Sequence, residues 1–292
     1  MEVEARVGEQ LQGLLTTTDH NRDLAGMTYV YPVLSRRAGG VSVGINLNPN
    51  HACNWHCVYC QVPDLVRGKA PPIDRVRLAT ELEGFLAELA DGSFFAAHVP
   101  EGARQLRDIA FSGNGEPTSA EDFAEIVACV GDIRNAAGHG AEVPLRLITN
   151  GSLMGSDRVI AGVEAIARYG GEVWFKIDGG AEQDVLRING VARRPEQTLA
   201  HLARCAAACP TWIQTCLFAW DGQVPGEDFL AAYVDLLRQA VSLGVSGLLL
   251  YGVARQSMQE EAPRVAPVGA DWLEAVAARI RNETGLTVSV SP

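Results

Sequence analysis

Lysine is almost missing from this 292-residue chain: of 24 basic side chains, only Lys69 and Lys176 are lysines, so each stands where arginine is the prevailing choice. Positive charge is short overall. The net charge of −11 speaks weakly against a broad nucleic-acid footprint, which needs a basic surface, though Arg193–Arg194 or Arg67 with Lys69 could supply a local patch. The small basic groups, Arg193–Arg194 and Arg67 with Lys69, read as solvated loop charges. Long apolar runs are absent too. None approaches the ~18 residues needed to span a bilayer, and the longest, Gly247 to Ala254, has the length of one strand. The N-terminal MEVEARVGEQ lacks the apolar stretch of a secretion signal. These gaps predict a cytoplasmic protein with no membrane partner. Thiols stay reduced in that compartment, and clustered cysteines there bind metals or act in catalysis rather than form disulfides.

What is present is a core-forming composition, 47% hydrophobic, sufficient for a large α/β fold. Residues 1–40 read as an irregular N-terminal extension that ends in the turn-rich SRRAGG and packs on a core of residues 41–292. Strand-length apolar runs then recur at Val41–Leu47, Leu106–Phe111, Leu145–Thr149, Val173–Ile177, Trp212–Phe218 and Gly247–Tyr251. Helical periodicity fills the intervals, over Leu78–Leu89, Phe123–Ile133, Arg158–Tyr169, Gln197–Ala208 and Phe229–Leu243. A last helix over Trp272–Arg281 and a short strand at Leu286–Val290 complete the chain. Alternating strands and helices imply right-handed βα units around a parallel sheet. Six units are too few to close an eight-stranded barrel, so the expected fold is an open partial (βα)6 barrel with its reactive residues at the C-terminal strand ends.

Those strand ends are distinctive. Strand one runs into NLNPNHACNWHCVYC, strand two into SGNGEPT, strand three into TNGS and strand four into KIDGG; strand five carries Gln214 and Cys216, and strand six leads into YGVARQS. Glycine and polar groups gather on one side of the sheet, as a binding rim requires. Cys53, Cys57 and Cys60 have the spacing C-x3-C-x2-C. Zinc would need a fourth ligand, from His51, His56 or elsewhere. A [4Fe–4S] cluster held by three thiolates would leave one iron open for a ligand, and this reading fits the surroundings better. In GNGEPT, threonine stands where a dinucleotide fingerprint needs its third glycine. Gly113 and Gly115 would let the backbone approach a ligand, and Glu116 would offer a carboxylate to an amine.

C-x3-C-x2-C after the first strand, Tyr59 just before the third cysteine and a GGE-like motif after strand two resemble the radical S-adenosylmethionine (SAM) superfamily. YPVLSRRAGGVSVGINLNPN, CVYCQV, FSGNGEPT, LITNGSL, VWFKIDGG and WIQTC look like the branch of the wyosine base synthases of tRNA and their uncharacterised bacterial relatives, over about residues 29 to 255. The resemblance implies that Cys53, Cys57 and Cys60 ligate three irons of a [4Fe–4S] cluster and that the amino and carboxylate groups of SAM chelate the fourth. Gly113, Asn114, Gly115 and Glu116 would line the SAM amino group, with asparagine in place of the motif's second glycine. Tyr59 and the backbone at Val253 would lie near the adenine, and Thr149 and Asn150 near the ribose. The implied reaction is reductive cleavage of SAM to a 5′-deoxyadenosyl radical that abstracts hydrogen from a substrate, with electrons from a donor such as flavodoxin or ferredoxin.

The chain departs from the wyosine synthases in having no cysteine before Cys53, and so no site for their second cluster. With the acidic net charge, this favours a small-molecule or peptide substrate over tRNA. A non-catalytic iron–sulfur or zinc-binding protein is the rival from another class. Lys176 and Asp178 share one face of strand four. Binding of a SAM or substrate carboxylate ranks first for Lys176, an ion pair with Asp178 second, and a Schiff base third. Cys216 is placed to give a hydrogen atom to a product radical, and Arg255 to meet an anionic group. Cys205, Cys209 and Cys129 read as core residues, the alternative being an auxiliary cluster on Cys205, Cys209 and Cys216. His98 and His139 are expected in solvent, and Trp55 and His56 outward or toward a reductant.

Overall fold

Strand alternation sorts this molecule's side chains into two populations. The computed structural model describes residues 13–16, 26–35 and 39–292. In chain order the strands are β1 (Val30–Ser35), β2 (Gly40–Ile45), β3 (Ala52–Cys53), β4 (Val66–Arg67), β5 (Leu106–Phe111), β6 (Leu145–Thr149), β7 (Glu172–Lys176), β8 (Thr211–Leu217), β9 (Ala219–Trp220), β10 (Gly247–Gly252), β11 (Val265–Ala266) and β12 (Val288–Ser291). The helices are α1 (Arg75–Ala90), α2 (Ser93–His98), α3 (Phe123–Ala136), α4 (Asp157–Arg168), α5 (Glu182–Asn189), α6 (Pro195–Ala208), α7 (Glu227–Val241) and α8 (Ala270–Thr284). The main sheet runs β1-β2-β5-β6-β7-β8-β10-β12. Every pairing from β2 to β12 is parallel.

Val43, Ile109, Leu147, Phe175, Ile213 and Leu248 are fully buried on one face of the sheet and belong to the main core. Residues of the opposite parity, Ser42, Asp108, Arg146, Trp174, Gln214 and Tyr251, line a cavity on the other face. Helices α3, α4, α6, α7 and α8 pack one against the next in chain order. A two-residue period thus separates a greasy outer layer from a polar interior. This is the expected partial barrel: its six parallel strands β2, β5, β6, β7, β8 and β10 lie within a residue or two of the six apolar runs.

The sheet is larger than the sequence suggests. Val30–Ser35, expected to be irregular lead-in, forms β1, antiparallel to β2 at the edge of the sheet. Pro32 disguises this strand. An edge strand tolerates the missing N–H, whereas an interior strand would not. The remainder of the expected extension, residues 1–12, 17–25 and 36–38, lies outside the described residues. In register, Tyr31 faces Gly44 and Val33 faces Ser42. The Tyr31 ring lies where a Gly44 side chain would stand, 2.1 Å from an added Cβ, and its hydroxyl is 2.8 Å from Ser112 Oγ. The extension therefore supplies part of the cavity wall. At the other edge β12 adds in parallel to β10, matching the expected terminal strand with a shift of a residue or two. The short helices α2 and α5 carry too few turns to show a clear period.

Two histidine and tryptophan expectations are corrected. His98 is buried, with Nδ1 2.9 Å from Gly13 O and its ring 5.2 Å from Phe94. Trp55 is buried and lines the cavity, because an indole gains more from covering the apolar wall than from solvent. His139 is half-buried in the turn after α3.

KIDGG after β7 shows how close the helices come. An added Cβ at Gly180 would stand 2.2 Å from the backbone C and O of Ala232 in α7. Gly180→Ala must push backbone against backbone, and it should lower unfolding stability by about 1–3 kcal/mol. A urea titration reads this as a lower midpoint at constant slope; an unmoved midpoint would show that α7 has room to shift.

Candidate active site

The segment that follows β2 leaves the sheet and crosses the mouth of the half-barrel. Apart from the two-residue β3–β4 pairing, its backbone groups must find partners outside the sheet, and asparagines supply many of them. Asn46 Oδ1 accepts from Asn48 N at 3.1 Å and from Asn114 N at 3.0 Å, tying the start of the loop to the GNGEPT turn. Asn48 Nδ2 donates to Ala52 O at 2.9 Å. Asn54 Nδ2 donates to Ser152 Oγ at 2.7 Å, and Asn54 Oδ1 accepts from Asn150 Nδ2 at 2.8 Å, binding the cysteine loop to TNGS. Beyond Cys57 the chain is stapled from the opposite side. Ser257 Oγ donates to Val58 O at 2.7 Å, Gln259 Nε2 to Val62 O at 2.8 Å and Met258 N to Cys60 O at 2.8 Å.

This frame places Cys53, Cys57 and Cys60 on the wall of one cavity of about 310 Å³. Tyr59, Gly113, Asn114, Gly115, Glu116, Asn150, Lys176, Cys216, Val253 and Arg255, all expected at the site, line the same cavity. Thr149 and Asp178 do not; they stand behind its wall. Thr149 Oγ1 donates to Glu116 Oε1 at 2.6 Å. Asp178 Oδ1 accepts from Cys216 N at 3.0 Å, and its Oδ2 accepts from Asn189 Nδ2 at 2.9 Å and from the Tyr59 hydroxyl. Asp178 thus anchors the Tyr59 hydroxyl, the Asn189 amide and the Cys216 backbone.

Glu116, on the cavity wall, also ties the frame together: its oxygens accept from Thr118 N, Thr118 Oγ1, Thr149 Oγ1 and Asn150 N, so the carboxylate joins the turns after β5 and β6. Burial pushes its pKa up, against the pull of these hydrogen bonds. The two glycines serve packing. Gly113 has φ of +142°, and a Cβ there would sit 2.4 Å from Asn46 Oδ1; one on Gly115 would sit 2.1 Å from Ala52 O.

Lys176 projects into the cavity above the Tyr59 ring, 4.9 Å from its centroid, with Nζ 3.1 Å from the Tyr251 hydroxyl and 3.7 Å from Asp178 Oδ2. Burial works to lower its pKa, but its neighbours, the Asp178 carboxylate first, outweigh it and hold the ammonium well above its ordinary value. Arg255 Nη1 donates to Gln61 Oε1 at 3.1 Å at the cavity edge.

The donor set suits an iron–sulfur cluster. Burial pushes the Cys53 thiol up to about 11 and Cys57 higher still, so thiolates at these positions need a cationic centre, which a metal provides. Among the described residues no three His, Cys, Asp or Glu side chains are gathered to hold one metal ion. Three thiols around a shared cavity match a cluster in which each takes a different iron. The histidines that zinc would call on do not line the cavity: His51 Nδ1 donates to Pro63 O at 2.9 Å, and His56 Nε2 pairs with Glu261 at 3.4 Å. His56 is half-buried beside that carboxylate rather than turned fully outward.

The remaining cysteines do not meet. Cys205 and Cys209 are buried in the core, and Cys209 Sγ donates to Gly171 O just before β7. Cys216 bonds to Asp178, past the other end of β7. A five-residue strand separates them by roughly 16 Å, so the auxiliary grouping is not formed. Cys129 is half-buried against the core.

The model of the radical SAM superfamily matches residues 47–222. The chain belongs to the radical SAM superfamily. That superfamily uses a [4Fe–4S] cluster and SAM. Among solved structures, a radical SAM methyltransferase from Sphaerobacter thermophilus shares the fold with a TM-score of 0.62 at 12% identity, covering 90% of this chain and 68% of that one. SuiB of Streptococcus suis, bound to SAM, has a TM-score of 0.56 at 12% identity over 88% of this chain and 52% of its own, so the chain spans about half of SuiB's length. TYW1 with a lysine–pyruvate adduct bound has a TM-score of 0.53 at 15% identity, over 82% and 73%. A 135-residue stretch is also 28% identical to the GTPase Obg of Brachyspira hyodysenteriae, covering 44% of this chain and 17% of that protein. This sequence has no G-x-x-x-x-G-K-[ST] phosphate loop to accompany that likeness.

Sequence reasoning missed Asn46, Asn48 and Asn189, and the deeper cavity wall. There Arg146 Nη1 meets Asp108 Oδ2 at 3.0 Å and its guanidinium lies 4.7 Å from the Trp174 ring centroid. The signal for that wall was available: stepping back by two from Asn150, Lys176 and Cys216 reaches Ile148 and Arg146, Trp174 and Gln214.

Glu116→Gln tests the hydrogen-bond frame. An amide in place of the carboxylate must point its NH2 at a donor, Asn150 N or Thr118 N. The expected loss is about 1–3 kcal/mol, read by thermal unfolding of the purified variant; an unchanged transition would show that the TNGS turn does not depend on this carboxylate.

Proposed function

We propose that this chain is a radical SAM enzyme that acts on a small molecule or peptide admitted to its half-barrel. The observation that carries this reading is the meeting, on one cavity wall, of Cys53, Cys57 and Cys60 with GNGE, Asn150, Lys176 and Val253, in a chain of this superfamily. A [4Fe–4S] cluster on the three thiolates would leave one iron for SAM and supply the electron that cleaves it to a 5′-deoxyadenosyl radical.

The protein's part is to bind, orient and exclude water. Lys176, kept protonated by Asp178, is suited to the carboxylate of SAM or of a substrate. The same charge argues against a Schiff base, whose nucleophile is a neutral amine. The lysine–pyruvate adduct therefore stays a property of TYW1. Tyr59, fixed by Asp178 and packed 5.7 Å from Phe218, offers a face to the adenine, and Val253 its backbone. Asn150 is available to the ribose, with Thr149 behind it. Cys216, on the wall between Lys176 and Tyr251, is the one inward thiol outside the cluster loop and can return a hydrogen atom to a product radical. Arg255 brings a cation to the rim. Polar groups deeper in, Arg146, Asp108 and Gln214, suit a hydrogen-bonding substrate better than a hydrocarbon. The required electron would come from a flavodoxin- or ferredoxin-type donor. Wyosine-type chemistry on tRNA has less support, given the −11 charge.

Anaerobic reconstitution tests the reading. Unaltered protein should take up about four irons per chain and form 5′-deoxyadenosine from SAM and a reductant. Cys53→Ala, Cys57→Ala and Cys60→Ala should each abolish that product. A protein that takes up a single zinc, or that loads iron and leaves SAM intact under reduction, would point to the non-catalytic alternative.

A further inference from the structure

Asn189, the last residue of α5, is wholly buried beneath the cysteine loop. Its Nδ2 donates to two acceptors, Cys57 Sγ at 3.2 Å and Asp178 Oδ2 at 2.9 Å. Its Oδ1 is buried with no hydrogen-bond partner. Turning the amide over would set that oxygen against a sulfur and a carboxylate, so the neighbours dictate the orientation. Leucine would fill nearly the same volume without stranding an oxygen. What the amide adds is its pair of donors.

The backbone holds this contact in place. On either side of Cys57, His56 N donates to Asn189 O at 3.0 Å and Val58 N donates to Ile188 O at 2.9 Å. Arg67 bridges the same junction, with Nη1 on Asn54 O and Nη2 on Gly190 O, both at 2.6 Å. Asp178, anchored by Tyr59 and by Cys216 N, fixes the amide from its other side. The donor therefore cannot drift from the sulfur while the loop is folded.

We propose that Asn189 is a positioning residue for the cluster, whose amide N–H···S hydrogen bond to the Cys57 thiolate favours the reduced state. This rests on reading Cys53, Cys57 and Cys60 as the cluster ligands. Reduction adds one electron from an external donor, and no covalent bond forms or breaks at Asn189. The added negative charge is shared by the thiolate sulfurs, and a donor aimed at one of them in a water-poor site stabilises the reduced form more than the oxidised form.

The test compares the unaltered protein with Asn189→Leu and Asn189→Ala, all reconstituted without oxygen and titrated redox-potentiometrically with EPR detection, SAM being absent. Iron content should be retained and the midpoint potential should move to more negative values in both variants. A second measurement needs no substitution. Unaltered protein carrying asparagine labelled with 15N at the side-chain amide should show a 15N hyperfine coupling to the reduced cluster in pulsed EPR, which Asn189→Leu should remove. A loaded cluster with no such coupling, or with a potential that neither variant moves, overturns the proposal and leaves the cluster reading standing. Failure of the unaltered protein to load a cluster overturns both.

Discussion

The structure depends on how an irregular loop, lying off the sheet, satisfies its own backbone. Residues 46–62 carry three thiols that belong in a water-poor place, and beyond the two-residue β3–β4 pairing they have no strand ladder there. Each of their polar groups that is buried must therefore find a partner on a neighbouring segment. The TNGS turn holds Asn54, the end of α5 holds the amides flanking Cys57, and Ser257 and Gln259 hold the carbonyls from Val58 to Val62. The site is not mounted on the barrel mouth so much as woven from the ends of its strands. This explains why Glu116 and Asp178 each gather several hydrogen bonds. They are the knots that join one strand end to the next.

The division of labour between the sheet faces follows from a period of two. The face toward the helices is made of Val, Ile, Leu and Phe, whose burial drives folding. The face toward the cavity can then be polar, because the core does not need it. That interior stays ordered by pairing: Arg146 with Asp108, Lys176 with Asp178, and the Tyr31 hydroxyl with Ser112 Oγ. Tyr31 comes from a strand that, among the described residues, pairs with β2 alone, so the segment before the parallel barrel helps shape its cavity.

Much of this was legible from residues alone. Apolar runs and helical periods located the six parallel strands and the long helices, because burial on both sides of a sheet leaves a strong local signal. The cluster cysteines were legible from their spacing and their polar setting. Strand β1 was not, since Pro32 and the turn-like SRRAGG weaken its pattern, and its pairing is decided by an edge position that no local window contains. Asn189 was not legible either. An asparagine before glycine reads as a helix end, which it is, and nothing nearby marks its contact with a cysteine 132 positions earlier. Trp55 and His98 were misread because burial depends on what packs over a loop, which for His98 is Gly13, far away in the chain.

Those long separations have a consequence for how the protein is made. The cysteine loop lies near the start of the chain, yet its partners stand 98, 119, 132 and 199 residues later. A ribosome delivers the thiols well before the segments that bury them, and closure of such distant contacts is slow and late in folding. Until those segments emerge, Cys53, Cys57 and Cys60 lack the partners that bury them. The finished frame around them is assembled only when Ser257 and Gln259 have emerged.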